Sequence, residues 1–154
     1  MADIQHKNIV DAERHEPKGA STAAIDTVYV SNGAASGTWK ELPFAINGVI
    51  DDVSTASFTL IPIPMNVTVQ SIRMTLANAI TVASSGITVT RGDGAAMGTT
   101  TILYTGSAEG TTFDLVPSGN ASITASTHKY IKIATDGLST TTAKLFISVK
   151  CKVV

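Results

Sequence analysis

From about residue 45 onward the chain alternates, and its last strand-length run shows the constraint most plainly. Leu145, Ile147, Val149, Cys151 and Val153 occupy every second position, with Phe146, Ser148, Lys150 and Lys152 between them. Side chains on an extended strand point to opposite faces in turn, so the first set must meet a core and the second solvent or a neighbour. A helix would scatter both sets around its circumference. The same period recurs in SFTLIPI, VTVQ, IRMTL, ITVT, TILYT, TFDLV, SITA and YIKIA, which Gly, Asn, Asp and Ser turns separate. No helical pattern of useful length interrupts these runs. Roughly eight short strands without helices predict an all-β fold, a jelly-roll-like antiparallel β-sandwich.

Composition says what fills such a sandwich. Hydrophobic residues make up 44% of the chain but aromatics only 5%, so the expected core is Val, Ile, Leu and Ala. The 22 threonines and 14 serines suit pleated, half-buried surfaces. Pro62 and Pro64 cannot donate to a ladder, which places their segment on an edge or at a bulge. Between Val69 and Ile72 the alternation slips by one, as a β-bulge in a long strand would make it. Phe146 faces outward and calls for a cover, such as a neighbouring subunit.

Charge marks a boundary. Residues 1–44 carry ten of the 23 charged side chains, leaving thirteen for residues 45–154. In the first region Asp11-Ala12-Glu13-Arg14 could form a helical turn, but Pro17 disfavours helix at Glu16 and Gly19 punctuates just after. TVYV and TWKEL flank SNGAASG, which predicts a small hairpin whose Asn32-Gly33 pair can take positive φ. Too few apolar groups are present for residues 1–44 to fold alone, so they read as an extended N-terminal arm that needs a surface to lie on.

The residues that could carry chemistry point away from it. A formal net charge of −1 with scattered basic residues gives no electrostatic footprint for nucleic acid or an anionic membrane. No apolar run approaches the roughly 20 residues of a membrane helix, and the opening MADIQHKN lacks the apolar core of a secretory signal. A single cysteine excludes an internal disulfide and a multi-thiolate metal site. Cys151 points inward and is expected to be inert. His6, His15 and His128 have no metal-ligand spacing. Asp51 and Asp52 are adjacent and would diverge on a strand, so they read as a turn before the first sandwich strand. GDGAAMG at 92–98 lacks the Lys-Ser/Thr and following helix of a phosphate loop and reads as a connection. Arg91-Gly92-Asp93 matches the integrin-binding tripeptide, but Gly-Asp-Gly is also ordinary turn chemistry. These observations predict no enzyme, no metal and no cofactor.

The stretch from His15 to Trp39 resembles the N-terminal segment shared by structural proteins of tailed bacteriophages, namely head-fibre, decoration and tail-fibre proteins. The likeness is carried by His15-Glu16-Pro17-Lys18-Gly19, Thr22-Ala23-Ala24, Val28-Tyr29-Val30-Ser31-Asn32-Gly33 and Ser36-Gly37-Thr38-Trp39. Two departures stand within it: Ile25-Asp26 where a Gly often occurs, and Ala35 in place of another Gly. It covers 25 of the 154 residues. The resemblance implies a virion protein on the capsid surface, made in the host cytoplasm, whose arm docks on the major capsid protein. It implies capsid-anchoring roles for His15, Glu16, Pro17, Lys18, Gly19, Val28, Tyr29, Val30 and Trp39. Tyr and Trp suit that role because each contributes a large contact area at low entropy cost. Three arms tied together would gain on the order of 10²–10⁴ in avidity, so a homotrimer that bridges capsomers is the expected assembly.

Three other readings remain open on the sequence. One is a receptor- or host-glycan-binding fibre tip, for which Tyr104, Phe113 and Tyr130 are the available aromatics, each in strand context and expected in the core. Another is a tail-fibre adaptor using the same arm. The third is a cytoplasmic sandwich whose arm binds nothing.

Overall fold

The computed structural model describes residues 27–31, 37–41 and 43–154. They form two units, divided between residues 42 and 43. Of the anchoring residues named above, His15, Glu16, Pro17, Lys18 and Gly19 lie outside the described residues, as do Asp11–Arg14 and Asn32-Gly33.

The first unit contributes the expected hairpin. Strand β1 (Thr27–Ser31) runs antiparallel to β2 (Gly37–Glu41), with Thr27 opposite Glu41, Tyr29 opposite Trp39 and Ser31 opposite Gly37. Directly opposed residues share a face, so the Tyr29 and Trp39 rings meet edge to face with centroids 5.4 Å apart and planes at 64°. Such a pair adds about 0.5–1.5 kcal/mol beyond its area burial.

The second unit is a sandwich of two antiparallel sheets. Its strands are β3 (Pro43–Ile50), β4 (Ser57–Pro62), β5 (Val67–Leu76), β6 (Ser85–Arg91), β7 (Ala96–Ile102), β8 (Thr112–Leu115), β9 (Ser122–Ile123), β10 (Tyr130–Thr135) and β11 (Leu145–Val153). One sheet has the order β4-β10-β6-β7; the other has β3-β11-β5-β8, with β9 also on β5. Leaving aside short β9, the pairings nest: β6 with β7, β5 with β8, β4 with β10, and β3 with β11. The chain thus behaves as one long hairpin folded over itself. Among the described residues the single helical turn is α1 (Ala125–His128).

Several boundaries differ from those read in the sequence, for physical reasons. Pro43 and Phe44, assigned to the arm by the change of text at residue 45, open β3 and pair with Lys152 and Cys151. Strand β3 itself is missing from the runs read above. Gly48 faces inward, and a Cβ on it would sit 2.9 Å from the end of the Ile61 side chain of β4, which would have to shift. Asp51 and Asp52 therefore follow the first sandwich strand rather than precede it. The strand read over TILYT, residues 101–105, lies at 96–102 instead. The turn at Arg91–Ala95 closes early: Gly94 takes φ +86°, its N–H donates to Arg91 O, and Arg91 N–H donates to Ala95 O. Met97 is then the extra residue of a bulge and is fully buried.

Other features match. Pro62 ends β4, an edge strand, where the missing donor costs no ladder bond. VTVQ and IRMTL form one strand with a bulge: Lys150 pairs with Ser71 and Cys151 with Val69, which leaves Gln70 unopposed. The two stretches on either side of that bulge keep Val67, Val69, Ile72, Met74 and Leu76 buried. Leu145, Ile147, Val149 and Cys151 are buried and Phe146 is exposed, while Val153 is only half-buried.

Ile, Val, Leu and Met from both sheets fill one core, with Phe44, Ile46 and Phe113 packed against it. Alanine contributes less than expected, since Ala143 is its only member there. One polar cluster is buried where β6 meets β10. The Ser85 and Thr135 hydroxyls lie 2.6 Å apart, and both reach Val53 O at 3.3 Å. Among the described residues no buried side-chain polar atom lacks a partner.

Replacing Ile133, fully buried on central β10, by Ala is expected to cost about 2–5 kcal/mol in urea unfolding. Deleting Gln70 removes the bulge yet restores strict alternation, so the variant should fold and melt cooperatively. Deleting Arg73 instead makes Ile72 and Met74 neighbours, forces one of them outward, and should abolish cooperative melting by circular dichroism.

Candidate functional site

The side chains with chemical potential are mostly engaged in structure. Cys151 is buried on β11, and removal from water pushes its thiol up to about 11. At neutral pH it is a thiol and not a nucleophile. Among the described residues no three His, Cys, Asp or Glu side chains converge as a metal site. Asp52 accepts bonds from the Ser54 N–H at 2.8 Å and the Ser54 hydroxyl at 2.7 Å, closing the turn after β3. Those two bonds, the hydroxyl's first, hold its carboxyl below the ordinary range.

The Arg91-Gly92-Asp93 tripeptide is tied to the protein's own fold. Arg91 grips Asp93 through Nε (3.2 Å) and a terminal guanidinium nitrogen (2.7 Å), and its other terminal nitrogen donates to Ser122 O at 3.3 Å. The Arg91 side chain is only 17% exposed. His128 Nε2 lies 3.6 Å from Asp93, while its Nδ1 accepts the Thr124 N–H at 2.8 Å. A Cβ on Gly92 would fall inside the His128 carbonyl oxygen. Arginine and aspartate spend their charges on each other, leaving no extended pair to offer an adhesion receptor.

In the hairpin, the four anchoring candidates that are described divide between two faces. Tyr29 and Trp39 share one face and are half-buried; Val28 and Val30 alternate onto the other, with Val30 the more exposed. The aromatic pair is thus assembled by cross-strand register, and the valines do not join it.

The sandwich carries aromatics that the sequence placed differently. Tyr104 lies beyond β7 and is exposed rather than in a strand and the core. Phe113 packs on the core from β8, and Tyr130 is half-buried on β10. Phe58 is 57% exposed on β4, with Lys132 Nζ 4.5 Å above its ring centroid. Phe146 is 53% exposed on the other sheet, beside a groove of about 300 Å³ that Asn47, Arg73, Thr75 and Ser148 also line. Arg73 makes a two-pronged bond to Asp114, with Nε at 2.8 Å and a terminal nitrogen at 2.9 Å. That contact lowers the Asp114 pKa and raises that of Arg73. The advance signal of this groove was the outward parity of Phe146 and Ser148; its other members come from two further stretches of chain.

Among the described residues no helix is long and apolar enough to cross a membrane. In comparisons with known proteins, the chain matches no family model and no curated protein.

Gly92→Ala is expected to lower stability by roughly 3 kcal/mol, since the obstacle is backbone. Asp93 titrates below its ordinary value, chiefly through the Arg91 hydrogen bond and then the Ala95 N–H. Its stabilising contribution is complete above the unfolded carboxylate pKa of about 4 and disappears as pH falls through the lower folded value. Asp93→Asn should therefore flatten the acid limb of a melting-temperature profile below about pH 4.

Proposed function

We propose that this chain is a non-enzymatic structural protein of a tailed-phage virion that decorates the capsid. In this reading the N-terminal arm holds it to the major capsid protein, and the sandwich is displayed from the capsid surface. The observation that carries the reading is the hairpin β1–β2, whose register sets Tyr29 against Trp39 within the segment that resembles phage head-fibre and decoration proteins. A two-stranded hairpin is marginal on its own in water, so one built around an aromatic pair gains by laying that pair on a partner. The nested strand pairing favours a jelly-roll description of the displayed domain, since folding one long hairpin over itself generates the two Greek keys of that architecture.

A homotrimer is the assembly this reading favours. One arm ordering on a shell sacrifices a few kcal/mol before any net gain, and tethering three restores it through effective concentration. The Leu60 side chain, exposed on edge strand β4, offers apolar area for contacts between copies.

Heads of the parent phage stripped of this protein provide the test. Wild-type chain should saturate them in a pelleting assay at a stoichiometry that reports the symmetry site. The double variant Tyr29→Ala/Trp39→Ala should bind at least about 30-fold more weakly, the effect of losing a hot spot of about 2 kcal/mol. Equal binding by the two proteins would remove the hairpin from the attachment, and no binding by either would sink the capsid reading.

A further inference from the structure

Three exposed aromatics of the sandwich compete as a second recognition site, and their surroundings separate them. Phe58 is capped by Lys132, so its ring face is already occupied. Tyr104 borders a shallow depression whose other walls are Ala79, Ile80, Thr81 and the Thr105–Ala108 turn, with no charged side chain among them. Phe146 differs from both, because the register places it beside a built polar row.

That row crosses the whole outer face of the second sheet. Asn47 stands opposite Ser148, Ser148 opposite Arg73, and Arg73 opposite Asp114, one residue from each of β3, β11, β5 and β8. All four project from paired strands, and the Arg73–Asp114 fork fixes the orientation of both groups. Phe146 stands two residues along β11 on one side of the row, between Val49 and Thr75; Lys150 stands two residues along on the other, between Ala45 and Ser71. Ser148, Ser71 and Thr75 are short and half-buried, whereas Phe146, Arg73 and Lys150 are exposed, so the small residues form a floor and the large ones its walls. On the other side of Arg73 and Ser148, which both depressions share, a second one lined also by Ala45, Ser71 and Lys150 measures about 350 Å³. At the strand rise of about 3.4 Å per residue, Phe146 and Lys150 are roughly 14 Å apart.

We propose that this groove binds an acidic oligosaccharide. An apolar ring face gives a pyranose its C–H contact, and planar amide, guanidinium and carboxylate groups side by side match the donor and acceptor pairs of adjacent sugar hydroxyls. The charge balance selects an acidic sugar over a neutral one. Arg73 is neutralised by Asp114, whereas Lys150 has no ion pair among the described residues and is the cation left to meet a sugar carboxylate. Phe146 therefore supplies the platform, the Asn47–Ser148–Arg73–Asp114 row reads the hydroxyls, and Lys150 takes the charge. The site lies wholly within the sandwich and stands whether or not the hairpin attaches to a capsid.

Isothermal titration of the full chain with oligomers of galacturonate, glucuronate and sialic acid tests it, with maltotetraose as the neutral sugar and tripolyphosphate as the anion without a ring. The expected result is saturable binding of at least one acidic oligosaccharide and of neither control. Phe146→Ala and Lys150→Ala should each weaken it about tenfold or more with unchanged melting temperature, while Phe58→Ala leaves it intact. Tripolyphosphate binding as tightly would reduce the groove to a patch of charge, and maltotetraose binding as tightly would remove the role of Lys150; either overturns the proposal. So would millimolar acidic oligosaccharides giving no saturable heat, or sedimentation showing a self-association that Phe146→Ala abolishes.

Discussion

Strand β11 pairs on both sides along nearly its whole length, with β3 from Leu145 to Lys152 and with β5 from Leu145 to Val153. Everything else in the sandwich depends on this double pairing. Without it β3 loses its ladder partner, and the inward row from Leu145 to Cys151 no longer separates the two sheets from water. The partners are far apart in sequence, Ile50 opposite Leu145 at one end and Phe44 opposite Cys151 at the other. Closing such loops costs conformational entropy before any contact rewards it, so the fold belongs to the non-local, slower class of β topologies.

The same pairing controls what the surface can recognise. Because β11 is central, its outward residues meet neighbours from β3 and β5, and the bidentate Arg73–Asp114 pair extends the row to β8. A polar row of this kind cannot be built from one loop. Its four members stand on directly paired positions of adjacent strands, and a surface that is already ordered loses less entropy when something binds. The tripeptide at Arg91 shows the opposite case, in which an exposed-looking motif is consumed by its own hairpin.

Much of this architecture was legible from period alone. The parity of β11 predicted the burial of Leu145, Ile147, Val149 and Cys151 but not the half-exposure of Val153, and the slipped alternation between Val69 and Ile72 marked the stretch that holds the bulge. Reading failed where a residue type had a tertiary cause. Gly48 is small because Ile61 occupies the space above it, and nothing local distinguishes that from a turn glycine. Met97 and Gly98 belong to β7 although neither is a β-former; Met97 fills the core, and a Cβ on Gly98 would lie 3.2 Å from the Leu115 side chain. The groove was invisible for a further reason, since Asn47, Arg73, Asp114 and Ser148 are neighbours only through register. The hairpin that holds Tyr29 and Trp39 was legible in the sequence, but their pairing follows only from its register.

Cys151 lends itself to one more use. It is the chain's single thiol, sealed between two sheets on the strand whose loss would open the core. A thiol reagent can reach it only when β11 parts from its neighbours, so the rate of its modification is a clock for that opening. With fast reagent the clock reads the opening rate, and with slow reagent the fraction of molecules open. The molecule thus carries its own reporter of the event that would dismantle it.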